Sequence, residues 1–236
     1  MDNDEIIRTI LVEDNISNFA DFHDELWVEN MFNLIKNTSL EQIAGNFAIN
    51  WWGNARAFLL PWLLATGVSD SLSAETPNFV RINSTPQNVW KEYVQNIEFN
   101  IGLWKLSENT YCSIYFAYEN LIVNVLKAIY QDKIRVTQKD FDKKLKDIYG
   151  EEFTQKIWLQ PFIYIARETR SSIVHNGGKV TANLLQVKPP PYYIQEGNVV
   201  ISAAVTRDLF IKLSPLAYDF IEESLRIIQS KSANDN

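Results

Sequence analysis

The chain of 236 residues has one cysteine, Cys112, and two histidines, His23 and His175. A single cysteine excludes an intramolecular disulfide and any zinc site built from several cysteines of one chain. Such usage fits a reducing cytoplasm. Eight glycines and eight prolines supply little punctuation, so long uninterrupted elements are expected. There is no basic excess either: 22 lysines and arginines face 29 aspartates and glutamates, a formal charge of −7. A chain so charged has no bulk attraction for a polyanion, and any nucleic-acid contact must use a local basic patch. The most apolar run, "AFLLPWLLA" from Ala57 to Ala65, is far shorter than the ~20 residues that span a bilayer. It reads as core, and no membrane partner is expected. The opening "MDNDEIIRTI" is acidic where a secretory signal would be basic, which again points to the cytoplasm. Neither a phosphate-cradling glycine loop nor a metal-ligand cluster is visible, so the expected cofactors and metals are none.

What the chain does have is apolar and aromatic side chains in helical register. Apolar residues make up 46% of it, with 13 phenylalanines, 10 tyrosines and 7 tryptophans, enough for a sizeable core. Ile16 to Lys36 reads as a first helix, its stripe running through Phe19, Phe22, Leu26, Met31, Leu34 and Ile35. Ser39 opens "SLEQ", a capping-box pattern with Gln42, and Pro61 is expected to kink or end the helix that follows. The polar stretch from Gly67 to Thr85 is the candidate loop or linker. Thr85-Pro86 then has the form of an N-cap followed by proline at the first helical position. From there to Gln131 the pattern is helical and reads as two helices broken near Ser107 to Asn109, with one continuous helix as the alternative. Thr137 is expected to cap a short basic helix that Gly150 stops. Helix resumes near Glu152 and, past a kink at Pro161, runs to His175. "PPPYYIQEGNVVIS" predicts a small hairpin around Glu196-Gly197, and Thr206 is expected to start a last helix reaching about Gln229. The fold class is therefore all-α: a helical bundle with a small β-hairpin before the last helix. Residues 1–80 form an N-terminal helical extension packed on the core, and residues 86–230 a helical domain.

The stretch "RETRSSIVHNGG", residues 167 to 178, carries the chemistry. Asn176-Gly177-Gly178 would end a helix, because glycine tolerates the left-handed conformation a C-cap needs. His175 then falls in the last turn, where the helix dipole favours its protonated form, and Glu168 would favour it further if close. Arg170 stands five residues earlier, about 140° away in projection, but its long side chain can swing to the histidine's face. A proton-exchanging imidazole beside a guanidinium fork suits chemistry on a phosphodiester. Histidine and arginine also serve as ordinary partners for free carbonyls at a helix end, and residue chemistry alone leaves both readings open.

"RSSIVHNGG" resembles the R-x4-H signature of the HEPN superfamily (higher eukaryotes and prokaryotes nucleotide-binding domain). Arg170 matches its arginine, His175 its histidine, and Ile173-Val174 the apolar pair before the histidine; Ser171 stands where asparagine is most usual. The layout of helices, hairpin insert and final helix over residues 86 to 230 is similar too, while the part before it matches no named pattern. The resemblance implies a metal-independent endoribonuclease giving 2′,3′-cyclic phosphate ends, in which a homodimer brings two motifs into one composite cleft. RNA is the implied partner, and an antitoxin protein a further one, since many such domains act in toxin–antitoxin or anti-phage systems. Arg170 and His175 would be catalytic, Arg167 and Ser171 would bind substrate, and Glu168 and Asn176 would support the histidine. The alternative is a non-catalytic HEPN-like domain that binds a nucleotide, RNA or protein.

Other candidates are weaker. His23 lies among acidic residues on a helix and would need ligands from elsewhere to hold a metal. "QDKIRVTQKDFDKKLK", with Lys127 upstream, is the densest basic region, but its interspersed aspartates favour a solvated helix surface over an RNA groove. Trp51-Trp52 and Tyr192-Tyr193 break the helical spacing, and exposed aromatics there could stack bases.

Overall fold

Residues 25–75, 88–89, 96–130, 140–186, 193–195 and 197–234 are described in the structure, a computed structural model. Their elements, in chain order, are α1 (Glu25–Ile35), α2 (Glu41–Glu75), α3 (Ile97–Tyr130), α4 (Phe141–Tyr149), α5 (Glu151–Ile157), α6 (Pro161–Asn176), α7 (Ala182–Leu185), β1 (Tyr193–Gln195), β2 (Asn198–Val200) and α8 (Ala203–Asn234). The fold is all-α, with one antiparallel hairpin in which Tyr193, Ile194 and Gln195 pair with Val200, Val199 and Asn198. Its turn contains Gly197 at φ +76°, where a side chain would be strained.

Three long helices carry the core. α3 packs against both α2 and α8, α1 lies on α2, and α6 lies on α3. Aromatic side chains meet there: Tyr115 and Tyr118 from the helical register of α3, and Trp51 and Phe220 from α2 and α8, are all fully buried. Residues on both sides of position 80 contribute to one continuous cluster, from Met31 and Phe47 through Leu126 to Leu225. Trp27 and Trp51 both donate to Ser214 of α8, the first to its carbonyl at 3.1 Å and the second to its hydroxyl at 3.2 Å.

Several boundaries differ from the sequence expectation. α3 runs unbroken through Ser107 to Asn109. Its polar residues there are accommodated without a break: Ser107 Oγ donates back to the Leu103 carbonyl, and Glu108, itself buried, pairs with Lys105 at 2.7 Å. α2 continues through Pro61 and on to Glu75, so the first part of the expected linker is helical. That part contains no proline, and its one glycine, Gly67, costs a helix only about 1 kcal/mol. At the start of α2 the closing contact comes from Glu41, whose carboxylate accepts the Asn37 N–H, rather than from the Ser39 capping box. Pro61 lies inside α2 and ends no helix, whereas Pro161 starts one: it is the first residue of α6, separated from α5 by 158–160. α8 begins before Thr206, because Ser202 Oγ accepts the Val205 N–H. Thr206 is buried, its hydroxyl against the Ser107 and Ser202 carbonyls. Residues 16–24 with His23, Thr85-Pro86, Thr137 and Tyr192 lie outside the described residues.

Two features set the place of α6. The Tyr118 hydroxyl of α3 donates to the Ile157 carbonyl at the end of α5, fixing the turn from which α6 departs. α6 itself buries Ile163, Ala166, Thr169 and Ser172, one position every three residues. Three of these are small, so this helix can lie close to its neighbour.

Candidate active site

The motif helix ends as its glycines require. Gly177 adopts the left-handed conformation, φ +61° and ψ +31°, and its N–H and that of Gly178 both reach the Ser172 carbonyl. The chain then joins the hairpin: Val180 N–H donates to the Gly197 carbonyl and Val199 N–H to that of Gly178. Lys179 and Asn198 form the bridge between them. The backbone beyond His175 is therefore held on one side by α6 and on the other by β2. Nothing would crowd a Cβ at Gly177, so Gly177→Ala should cost only the left-handed penalty, about 1 kcal/mol. Gly177→Asn should cost less, because asparagine tolerates that conformation. Chemical denaturation of the two variants checks this order.

On this end the two motif residues meet. Arg170 Nη1 lies 3.2 Å from His175 Nε2, the arginine half-buried and the histidine exposed. A guanidinium has only donors, so in this contact Nε2 is the acceptor. Glu168 does not reach the ring. Glu168 turns instead to α7, where its Oε2 accepts from Asn183 Nδ2 at 3.1 Å. α7 is set for this by Thr181, whose hydroxyl accepts the Leu184 N–H.

The remaining motif residues surround the pair. Arg167 lies over the Tyr164 ring, 5.3 Å from its centre. Ser171 is half-buried one turn before His175. Asn176 is exposed and contributes its carbonyl, which accepts the Lys179 N–H. Ile173 packs on the core, while Val174 is 51% exposed beside His175.

Sequence reasoning missed two neighbours. Asn183 carries no motif signal and is brought in only by the turn after the glycines. Cys112 of α3 was read only for the disulfide and zinc sites a lone cysteine excludes and for redox compartment, yet the Arg170 charge acts on it. Burial, and after it the Glu108 carboxylate, push the Cys112 thiol up to about 11, with Arg170 pulling the other way. The thiolate is the reactive form, so Cys112 should react with iodoacetamide at pH 8 about 100-fold more slowly than a free cysteine. The rate should climb with pH toward about 11. Arg170→Ala removes the opposing charge and should slow it further; a faster reaction in that variant would refute the proximity.

The basic stretch behaves as a solvated surface where it is described. Lys144 pairs with Asp140 at 3.4 Å and Lys146 with Glu151 at 2.8 Å. Trp51 is core, Trp52 is 37% exposed with Arg56 over its ring, and the Tyr193 side chain is outside the described residues. Among the described residues no three His, Cys, Asp or Glu side chains cluster so as to hold a metal ion. Among them, too, no helix is long and apolar enough to cross a membrane. No family model, curated protein or solved structure matches this chain.

Proposed function

We propose that this chain is an endoribonuclease of the HEPN type, active in the cytoplasm without a metal ion. The observation that carries the reading is the Arg170–His175 contact at an exposed helix end. The ribose 2′-oxygen would attack phosphorus as its proton passes to a neutral imidazole. The P–O5′ bond would break, with a proton delivered to the leaving oxygen. The products are a 2′,3′-cyclic phosphate and a 5′-hydroxyl, and DNA, lacking the 2′-OH, is spared. Arg170 would leave Nε2 for the phosphoryl oxygens, where charge builds in the transition state.

One motif supplies one imidazole, while the reaction needs both a base and an acid. A symmetric homodimer with the motifs facing across its two-fold axis supplies two of each. Val174, next to His175, and Tyr164, farther up the same helix, leave apolar surface for such an interface. Arg167 and Ser171 would hold flanking phosphate and ribose, Asn176 would fix the histidine through the backbone, and Glu168 would act through Asn183 rather than on the imidazole. A toxin or phage-defence role, with an antitoxin as protein partner, follows from the same likeness.

The test is incubation of a panel of single-stranded RNAs in EDTA, with the product ends identified. Cyclic phosphate ends support the proposal. RNA that is bound but left intact by folded protein favours the non-catalytic binding domain, to which the −7 charge and Ser171 also point.

A further inference from the structure

Away from the motif, α2 and α3 enclose an open groove of about 600 Å³. Along its α2 wall stand Gln42, Asn46, Asn50 and Asn54, one carboxamide for every helical turn. Asparagine is a poor helix residue, so three of them at four-residue spacing gain nothing for α2 itself. The floor is apolar, made by the buried Phe47 and Leu121, and the α3 wall offers Phe116, 51% exposed. Among the described residues no charged side chain lines this groove, and Lys127 stands at its rim, its Nζ 3.5 Å from Asn124 Oδ1.

We infer that this groove binds an extended peptide segment of a partner protein, with the carboxamides of α2 pairing to its backbone. A carboxamide presents one acceptor and two donors, the complement of a backbone amide. The pitch also fits: residues four apart on a helix are separated by about 6 Å along its axis. Alternate residues of a strand, whose N–H and C=O face one side, are about 6.6–6.8 Å apart. Each step also turns about 40° around the helix axis, so an extended segment meets two successive carboxamides, Asn46 and Asn50, in register before the row winds away. Asn50 Nδ2 donates to the Asn46 carbonyl at 2.9 Å, which sets its amide plane and leaves Oδ1 and the second N–H for a ligand. A helical ligand has no free backbone groups for such a row. A nucleic-acid strand would need a row of cations, where the described residues offer only Lys127 at the rim. Side chains of a strand alternate, so the segment should carry apolar residues at every second position, facing Phe47, Leu121 and Phe116.

The inference is independent of RNA cleavage. Its test is selection of peptides from a displayed library of random short sequences by the full chain, followed by synthesis of the enriched ones. The side-chain NH₂ resonances of Asn46 and Asn50 should shift on titration with them. The exposed double substitution Asn46→Ala with Asn50→Ala, which favours helix, should weaken binding at least about tenfold. N-methylation of alternate peptide residues should abolish binding on one edge of the peptide and be tolerated on the other. Arg170→Ala and His175→Ala should leave it unchanged. Failure to enrich any peptide overturns the inference, as does equal binding by the double variant or equal tolerance of both edges. A single-stranded oligonucleotide that shifts the same resonances, where peptides do not, also overturns it.

Discussion

On the proposed function, replacing His175 by alanine should lower the rate of RNA cleavage by about 100-fold or more, the usual contribution of a positioned acid–base group. Binding of RNA should change little, because the imidazole's proposed part is to move a proton rather than to hold a phosphate. Replacing Arg170 has a different signature. In the proposed reaction its guanidinium would meet the phosphate in both the ground and transition states, so both rate and affinity should fall. The two substitutions are comparable because neither residue closes the helix: the Gly177 and Gly178 N–H groups on the Ser172 carbonyl do that. Single-turnover cleavage in EDTA, with affinity measured separately on a 2′-deoxy analogue, resolves the two effects. Equal residual cleavage by wild type and both variants would assign the activity to a contaminant. An unchanged rate for His175→Ala would remove the imidazole from the chemistry.

Trp51→Ala costs about 3–5 kcal/mol of folding stability, the range for emptying a large aromatic site. Trp51 is fully buried, stacked on Phe210 with ring centres 4.8 Å apart and against Phe47 at 5.1 Å. Truncation also leaves Ser214 Oγ without the indole N–H it accepts at 3.2 Å. Domains of this kind have about 5–15 kcal/mol in total, so the variant sits close to unfolding. Its neighbour behaves otherwise. Trp52 is 37% exposed, with Arg56 5.0 Å from its ring centre, and Trp52→Ala should cost under about 1 kcal/mol. Urea titrations of both variants make the comparison; similar losses would contradict the packing.

Periodicity made the helices legible, because their apolar residues recur with the turn of the helix and are the ones found in the core. Boundaries were less legible. Ser107 looked like a break because serine competes for backbone hydrogen bonds, yet it bonds within its own helix to Leu103. Thr206 looked like a cap for the same chemical reason, and Ser202 takes that place because Thr206 is buried against α3. The helix stop at Gly177 was legible because the left-handed conformation is nearly a glycine property. The meeting of Arg170 with His175 was foreseen only as something a long side chain could reach. Glu168 was expected to support His175 if close, but its carboxylate accepts from the Asn183 amide, which comes from a turn that no spacing rule supplies. Cys112 was invisible as a neighbour of Arg170 because their proximity depends on how two helices pack.

The docking of Trp27 and Trp51 on Ser214 bears on the order in which the chain assembles. Those bonds join residues 187 and 163 positions apart. Closing so long a loop spends chain entropy before any contact repays it, whereas the links from Gly178 and Val180 to β2 connect near neighbours. The helix end that holds His175 can thus form early, and the joining of the first helices to the last comes late. In refolding, far-UV circular dichroism should recover ahead of tryptophan fluorescence, with Trp51 reporting the closure. Until that closure the aromatic faces of α2 and α8 are bare together, and it is this interval, rather than the native state, in which the chain is most exposed to aggregation.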